Sequence, residues 1–408
     1  MKILLTLFDI QDFGGIMDDV EFLGRGFREA GHECDLIYLR NNARMPSTRR
    51  FQKAQGGDQP SIYGGTVNAL RGWDNVQVYG YGSDRNIELL HRKFRRYDLI
   101  IHEIPNPKPD PEGWWRKIYH SDVNQIIAAH DAHFRDMYPH ISELAPYVTA
   151  ITCTNHAGYV GLEHCPIPRA FIGAAHELQE WQEHPPIEHR SKDAVCAHVW
   201  KAWKHNDIVV AAGPLMKRTR LDMAGDGIEG RYMRSETKVK PKYAGLWDAF
   251  MGAPNCHYHG LLDRENLYEL YQHSKVMIDL SYSKKFAALG NHFNRSILEA
   301  ANNGCISICT TENMHENNPQ VVLFKDNVTH IPVNQGLAPH ELAEVTDWAT
   351  NDMHHDDHMD MVWECRKVLE NHFDYRKTCL QYLELAKGKP AGIYPVLETG
   401  AVPLQAAP

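Results

Sequence analysis

Short apolar runs alternate with amphipathic stretches along most of the chain. Lys2 to Phe8 is apolar and leads into a glycine-containing loop, DFGG. Met17 to Ala30 has helical periodicity and closes on Gly31, and CDLIYL is a second apolar run. Strand, loop, helix, glycine and strand predict the βαβ unit of a parallel sheet. The pattern continues with VQVYGYG (76–82), the helix NIELLHRKFRRY, the strand DLIIHEI, and the runs NQIIAAHD, VTAITCTN and RAFIGAAH. Residues 1–178 therefore read as one doubly wound, Rossmann-like α/β domain. Pro185 and Pro186 lie in a polar stretch, QEHPPIEHRSKD, which marks residues 179–192 as a linker. A second α/β pattern fills 193–358. NDIVVAAGPLM is helical, TRLDMAGDG is strand then turn, CHYHGLL is strand, ENLYELYQHS is helix and KVMIDLS is strand. RSILEAANNG is a helix with Gly304 just past its end, and CISICTT is the strand after it. Helices over 359–388 are expected to cross back to the first domain, and 389–408, with four prolines, form a tail. Two such domains on a short linker imply a ligand cleft between them.

Two segments break the pattern. Residues 41–66 carry four Gly, two Pro and the basic group Arg49, Arg50 and Lys53 without any apolar period, as functional or mobile loops do. Residues 351–360, NDMHHDDHMD, concentrate His and Asp. Their spacing matches no rigid metal-ligand pattern, so a solvated loop is expected there.

The length of 408 residues suits two to three domains, and 43% apolar with 23% charged residues is globular composition. A net charge of −9 excludes a basic, histone-like nucleic-acid binder while leaving local basic patches such as HRKFRR (91–96) open. No run approaches the roughly 18 apolar residues of a membrane span. Asp9 and Asp12 follow the first apolar run where a signal peptide needs small residues, so that run reads as a strand. Nine scattered cysteines without a CxxC pair suit a reducing cytoplasm, and Cys305 and Cys309 read as packing residues.

The basic loop WKAWKH precedes a helical stretch, which makes Lys201 and Lys204 candidates for a diphosphate; lysines capping a helix in water fit the same pattern. Glu299 follows a glycine-containing loop, LSYSKKFAALGNHFNR, and precedes the small residues Ala300, Ala301 and Gly304. A glutamate there can accept both hydroxyls of a ribose, although a surface glutamate gives the same signal. In HDAH, His130 and Asp131 at a strand end can serve hydrogen bonding or acid/base chemistry on a hydroxyl. His130 with His133 as a zinc pair lacks further ligands at a suitable spacing.

The order WKHNDIVVAAGPLM, LDMAGDG, HYHGLLDRENLYELY, KVMIDLSYS and ILEAANNGCISI is similar to the carboxy-terminal half of retaining GT-B glycosyltransferases that use nucleotide sugars. MKILLTLFDIQDFGGIMDDVEFLGRGFREAGHECDLIYL and IIAAHDAHF resemble the phage-type DNA α-glucosyltransferases, which modify hydroxymethylcytosine. The resemblance runs from residue 1 to about 315. It implies two Rossmann-like domains with the active site in the cleft between them. It further implies Gly14, Gly15, Lys201, Lys204, Gly290, Asn291 and Glu299 at the donor, and His130 and Asp131 at the transfer centre. Arg49, Arg50 and Lys53 would then lie on DNA. The expected donor is a UDP-sugar with no further cofactor and no metal. The expected acceptor is hydroxymethylcytosine or hydroxymethyluracil in duplex DNA, handled by a cytoplasmic, monomeric enzyme that uses no membrane. Two positions depart from the family: His198 or Val199 stands near its diphosphate arginine, a role Lys201 would take over, and Asn291 occupies the place of its first glutamate. A polysaccharide or lipid-linked acceptor is the alternative, with WWRKIY (114–119) as its membrane-facing patch. A sugar-nucleotide epimerase of the same architecture is a further class.

Overall fold

The computed structural model describes residues 1–8, 15–40, 73, 76–103, 113–130, 141–154, 159, 162–178, 185–198, 204–225, 234–235, 238–239, 243–281, 295–310, 324–334 and 336–393. The chain divides into two compact units, Met1–Glu177 with Asn371–Pro408, and Leu178–Glu370. The second division falls at Glu370/Asn371 rather than at 358, because Met361 and Val362 belong to the second unit's core while Tyr375, Cys379 and Tyr382 belong to the first.

The first unit is built on seven parallel strands: β1 (Lys2–Phe8), β2 (Glu33–Arg40), β3 (Gln77–Gly80), β4 (Leu99–Glu103), β5 (Asn124–Ala129), β6 (Ala150–Cys153) and β7 (Arg169–Phe171), in the order β3-β2-β1-β4-β5-β6-β7. Both faces are covered, which is why the strands read as near-continuous apolar runs. Helix α1 (Gly15–Glu29) lies on one face, where Val20, Phe22, Leu23 and Phe27 join the core. Helices α2 (Asp84–Phe94) and α3 (Trp114–Lys117) lie on the other. The second unit has six parallel strands: β8 (Lys192–Ala197), β9 (Leu221–Ala224), β12 (Cys256–Tyr258), β13 (Ser274–Asp279), β14 (Ile306–Thr310) and β15 (Ile331–Val333), in the order β12-β9-β8-β13-β14-β15. A short ribbon, β10 (Arg234–Ser235) and β11 (Lys238–Val239), stands apart from it. Its helices are α4 (Asn206–Ala212), α5 (Ala244–Gly252), α6 (Arg264–Gln272), α7 (Arg295–Asn302), α8 (Pro339–Asn351) and α9 (His355–His372); α10 (Tyr375–Ala386) returns to the first unit and packs on α1. Gly304 sits at φ +77 just past α7, the left-handed position expected of a helix-ending glycine.

In each sheet the strand order reverses beside the first strand, at β1/β4 and at β8/β13. Connections leave such a point toward opposite faces, and a crevice opens at the carboxyl ends of the two strands.

Three sequence expectations change. Residues 355–360 start α9 instead of a loop: Asp356 and Asp357 favour its first turn, while His358, Met361, Val362, Cys365 and Leu369 repeat at helical spacing and are buried. WWRKIY is no membrane patch, since Trp115, Ile118 and Tyr119 are core residues and Lys117 lies over the Trp114 ring. The basic end of α2 points away from the strands' carboxyl ends: Tyr97 and Asp98 follow it directly, and Asp98 accepts from the Lys2 backbone N–H at the start of β1. All nine cysteines are free thiols and eight are buried. No helix among the described residues is long and apolar enough to cross a membrane.

Between β1 and β5, His102 Nδ1 lies 2.8 Å from Thr6 Oγ1 and Nε2 lies 2.9 Å from Gln125 Oε1, and the Gln125 amide donates to Tyr119 O at 2.7 Å. Gln125 Oε1 can only accept, so the ring is protonated on Nε2 and takes the Thr6 hydroxyl proton on Nδ1. Burial pushes the imidazole down to about 4, against the hydrogen bond it donates to Gln125. Burial, with Arg190, His355 and Lys275, takes His358 to about 3. A histidine kept neutral in the fold binds its proton more readily once unfolded, so its contribution is present above pH 6.5 and is lost as pH falls toward 4. Urea titrations are expected to show stability dropping over that window, and His102→Gln to remove up to about 1.4 kcal/mol per pH unit from the slope.

Candidate functional site

Polar side chains gather at both crevices. In the first unit, β4 ends in Glu103, wholly buried, and β5 is followed by His130. Successive strand residues face opposite sides, so His102 faces the α2 side and Glu103 the α1 side. His130 Nε2 lies 2.5 Å from Glu103 Oε2 and 3.4 Å from Asp19 Oδ2. Asp19 sits one turn into α1, and its other oxygen accepts the Ala175 backbone N–H after β7. α1 itself opens at Gly15.

The ligand-type atoms of Asp19, Glu103 and His130 all lie within 4.8 Å of one another. Glu103 and His130 are in direct hydrogen-bond contact within this group. Glu103 Oε1 is buried without a hydrogen-bond partner among the described residues.

In the second unit, β8 runs into His198 and β13 ends in Asp279. His198 Nε2 lies 3.5 Å from Asp279 Oδ1, and Ser296 Oγ on α7 contacts both His198 Nδ1 (3.2 Å) and Asp279 Oδ2 (3.4 Å). The Ser281 backbone N–H donates to Asp279 at 2.9 Å. Lys204, just before α4, is only 8% exposed, so it is no solvated cap. Burial raises the Asp279 carboxyl, but His198, the Lys204 ammonium and the Ser281 hydrogen bonds outweigh it and hold the group ionised. Burial pushes the His198 imidazole down; Asp279 opposes this and Lys204 reinforces it. Gly225, at φ +130 after β9, passes so close that a Cβ would lie 2.0 Å from His198 O. That approach is available only to glycine.

Glu299 lies one turn beyond Ser296 on the same face of α7. It is buried rather than a surface glutamate, and Arg295 Nε lies 3.4 Å from Oε1. Burial raises its carboxyl, with Arg295 and Arg264 opposing. Arg264, at the start of α6, is pushed down by burial, with Tyr268 and Glu299 opposing and Arg295 adding to the shift. Lys204, Arg264 and Arg295 thus stand against Asp279 and Glu299, a cationic surplus suited to an anionic ligand.

Of the residues expected at the site, Gly15, His130, Lys204 and Glu299 fall where each unit's crevice is; Gly14, Arg49, Arg50, Lys53, Asp131, Lys201, Gly290 and Asn291 lie outside the described residues. Sequence reasoning missed Asp19, Glu103, Arg264, Asp279 and Arg295, and noted His198 only as standing near the place of a diphosphate arginine. The available signal was a charged residue closing an otherwise apolar strand, as in LIIHE and VMID.

No family model and no curated protein matches the sequence. Solved structures do. A glycosyltransferase from Rickettsia africae is 14% identical over 95% of this chain and 98% of its own, with a TM-score of 0.63. An α-glucosyltransferase in complex with UDP and a 13-mer DNA containing an HMU base is 12% identical over 95% and 99%, with a TM-score of 0.62. An S. aureus TarM mutant in complex with fondaparinux, α-GlcNAc-glycerol and UDP is 10% identical over 94% and 99%, also at 0.62. At such identities the likeness is one of fold: two Rossmann-like α/β domains, as in GT-B glycosyltransferases.

Removing the ammonium from a buried charge cluster strands the carboxylate. Lys204→Met is expected to destabilise the protein by about 3–5 kcal/mol, read by chemical denaturation. Lys204→Met with Asp279→Asn is expected to recover most of that loss. Full additivity of the two substitutions would place Lys204 outside the Asp279 group.

Proposed function

We propose that this chain is a nucleotide-sugar-dependent glycosyltransferase with a UDP-sugar as donor and a hydroxymethylated pyrimidine of duplex DNA as acceptor, transferring with retention. The observation that carries the donor half is the group of buried Glu299 and Lys204 with half-buried Arg264 and Arg295 at the switch point of the second sheet. In this reading Lys204 and Lys201 take the diphosphate, Glu299 the ribose, and Gly14, Gly15, Gly290 and Asn291 approach the donor with backbone or small side chains. As the acceptor oxygen bonds to the anomeric carbon, the anomeric bond to the β-phosphate oxygen breaks, the hydroxyl proton passes to the departing diphosphate, and the cationic residues stabilise the charge gathering there.

Support for a DNA acceptor comes from the first unit. Arg49, Arg50 and Lys53 follow β2 in sequence, and β2 ends at the carboxyl edge of the sheet where Glu103 and His130 lie. One solved structure similar to this chain is an α-glucosyltransferase with UDP and DNA. A base inside a duplex must leave the stack to be reached, so phosphate contacts beside the transfer centre are what this chemistry needs.

The test measures nucleotide release from a panel of sugar donors with hydroxymethylated duplex, unmodified duplex, polysaccharide or no acceptor. Release that depends on the modified duplex is expected. Release driven by polysaccharide would move the acceptor to that class, and release without any acceptor would point to an epimerase or hydrolase. Glu299→Ala is expected to weaken UDP binding at least about tenfold by calorimetry, the loss of one charge-assisted contact. Asp131→Asn is expected to slow turnover with donor affinity kept. Replacing Arg49, Arg50 and Lys53 with glutamine is expected to weaken duplex binding and flatten its salt dependence by up to about 0.9 per lost contact in the log–log slope. Donor affinity should not change.

A further inference from the structure

We infer that Glu103 is the positioning residue for His130, and that Glu103, rather than the adjacent Asp131, sets how His130 meets its substrate. The inference rests on the reading of the first unit as the transfer side. His130 Nε2 faces two carboxylate oxygens, Glu103 Oε2 at 2.5 Å and Asp19 Oδ2 at 3.4 Å. A ring nitrogen between two acceptors carries its proton there, which fixes the imidazole with Nε2–H toward the carboxylates and so sets the plane and direction of the ring.

The two carboxylates are not equivalent. Asp19 is also bound to the Ala175 backbone N–H, which ties α1 to the chain leaving β7. Glu103 shows no comparable backbone tie, since its Oε2 is given to His130 and its Oε1 is buried without a hydrogen-bond partner among the described residues. A wholly buried carboxylate left so incompletely satisfied costs stability, and its one hydrogen bond is spent on orienting a histidine at the open end of the sheet. The titratable groups facing this cluster are Asp19 from α1, Glu103 from β4, and Tyr382 and Cys379 from α10. The carboxylates add to the burial that keeps both α10 groups protonated.

The test is a double-mutant cycle of Glu103→Gln and His130→Asn on kcat/KM, combined with ring ¹⁵N spectra of His130. The resonances are assigned among the 25 histidines by their loss in His130→Asn. The single variants are each expected to lose at least tenfold in kcat at unchanged donor KM, and the double variant to lose no more than His130→Asn alone. The acid limb of the Glu103→Gln pH profile is expected to move to lower pH, because loss of the anion favours the neutral ring. Multiplicative losses, or an unmoved acid limb, would overturn the inference by showing Glu103 acts on stability alone.

Should Glu103→Gln fail to fold, Glu103→Asp keeps the charge and withdraws it by one carbon–carbon bond; the same non-additivity is expected at smaller size. The spectra need no activity. Altered His130 ring shifts in the Glu103 variant would uphold the pair even if no donor is turned over, whereas ring shifts identical to wild type would remove it whatever the enzyme's reaction.

Discussion

Burying a carboxylate at the end of a parallel strand is the constraint on which both halves of this molecule depend. Glu103 closes β4 and Asp279 closes β13, each beside the first strand of its sheet, where the connections part toward opposite faces. Each carboxylate is fully removed from water. An isolated ion in such a place is so costly that it exists only with partners. In both units those partners come from elements that converge on the crevice: α1 and the end of β5 in one, α7 and the segments after β8 and β13 in the other.

The two solutions differ in charge. The first unit brings two carboxylates to one imidazole, a group rich in acceptors and suited to holding a proton or a hydroxyl. The second brings Lys204, Arg264 and Arg295 to Asp279 and Glu299, leaving a cationic surplus. Under the proposed function this difference would suit a phosphorylated donor in the second unit, where negative charge gathers, and a neutral hydroxyl in the first.

Glycine and small residues matter here because backbone has to pass close to these groups. Gly225 lies against His198 O, and a Cβ on Gly304 would meet the Arg190 guanidinium. That guanidinium donates to Ser274 O and Asn303 O, which ties the start of β13 to the end of α7. The elements that carry Asp279 and Glu299 are thus held together by a buried arginine.

What the amino-acid sequence determined by itself was the architecture. Parallel strands covered on both faces must be continuously apolar and amphipathic helices must alternate with them, so the repeating pattern and punctuation such as Gly304 were legible without coordinates. The positions of His130 and Lys204 at element ends, and of Glu299 within a helix, were legible for the same reason. Tertiary structure alone decided which side chains meet. Glu103 and His130 are separated by a helix and a strand, Asp19 and His130 by more than a hundred residues, and His198 and Asp279 by helices α4, α5 and α6. The basic run at the end of α2 looked equally available for DNA until the helix direction placed it at the far edge of the sheet, and NDMHHDDHMD looked like a loop until Met361, Val362 and Leu369 showed which face it buries. Local pattern reports periodicity and burial, which act within a few turns of chain, whereas pairing of charges in a crevice depends on strand order and crossover direction, which no local pattern contains.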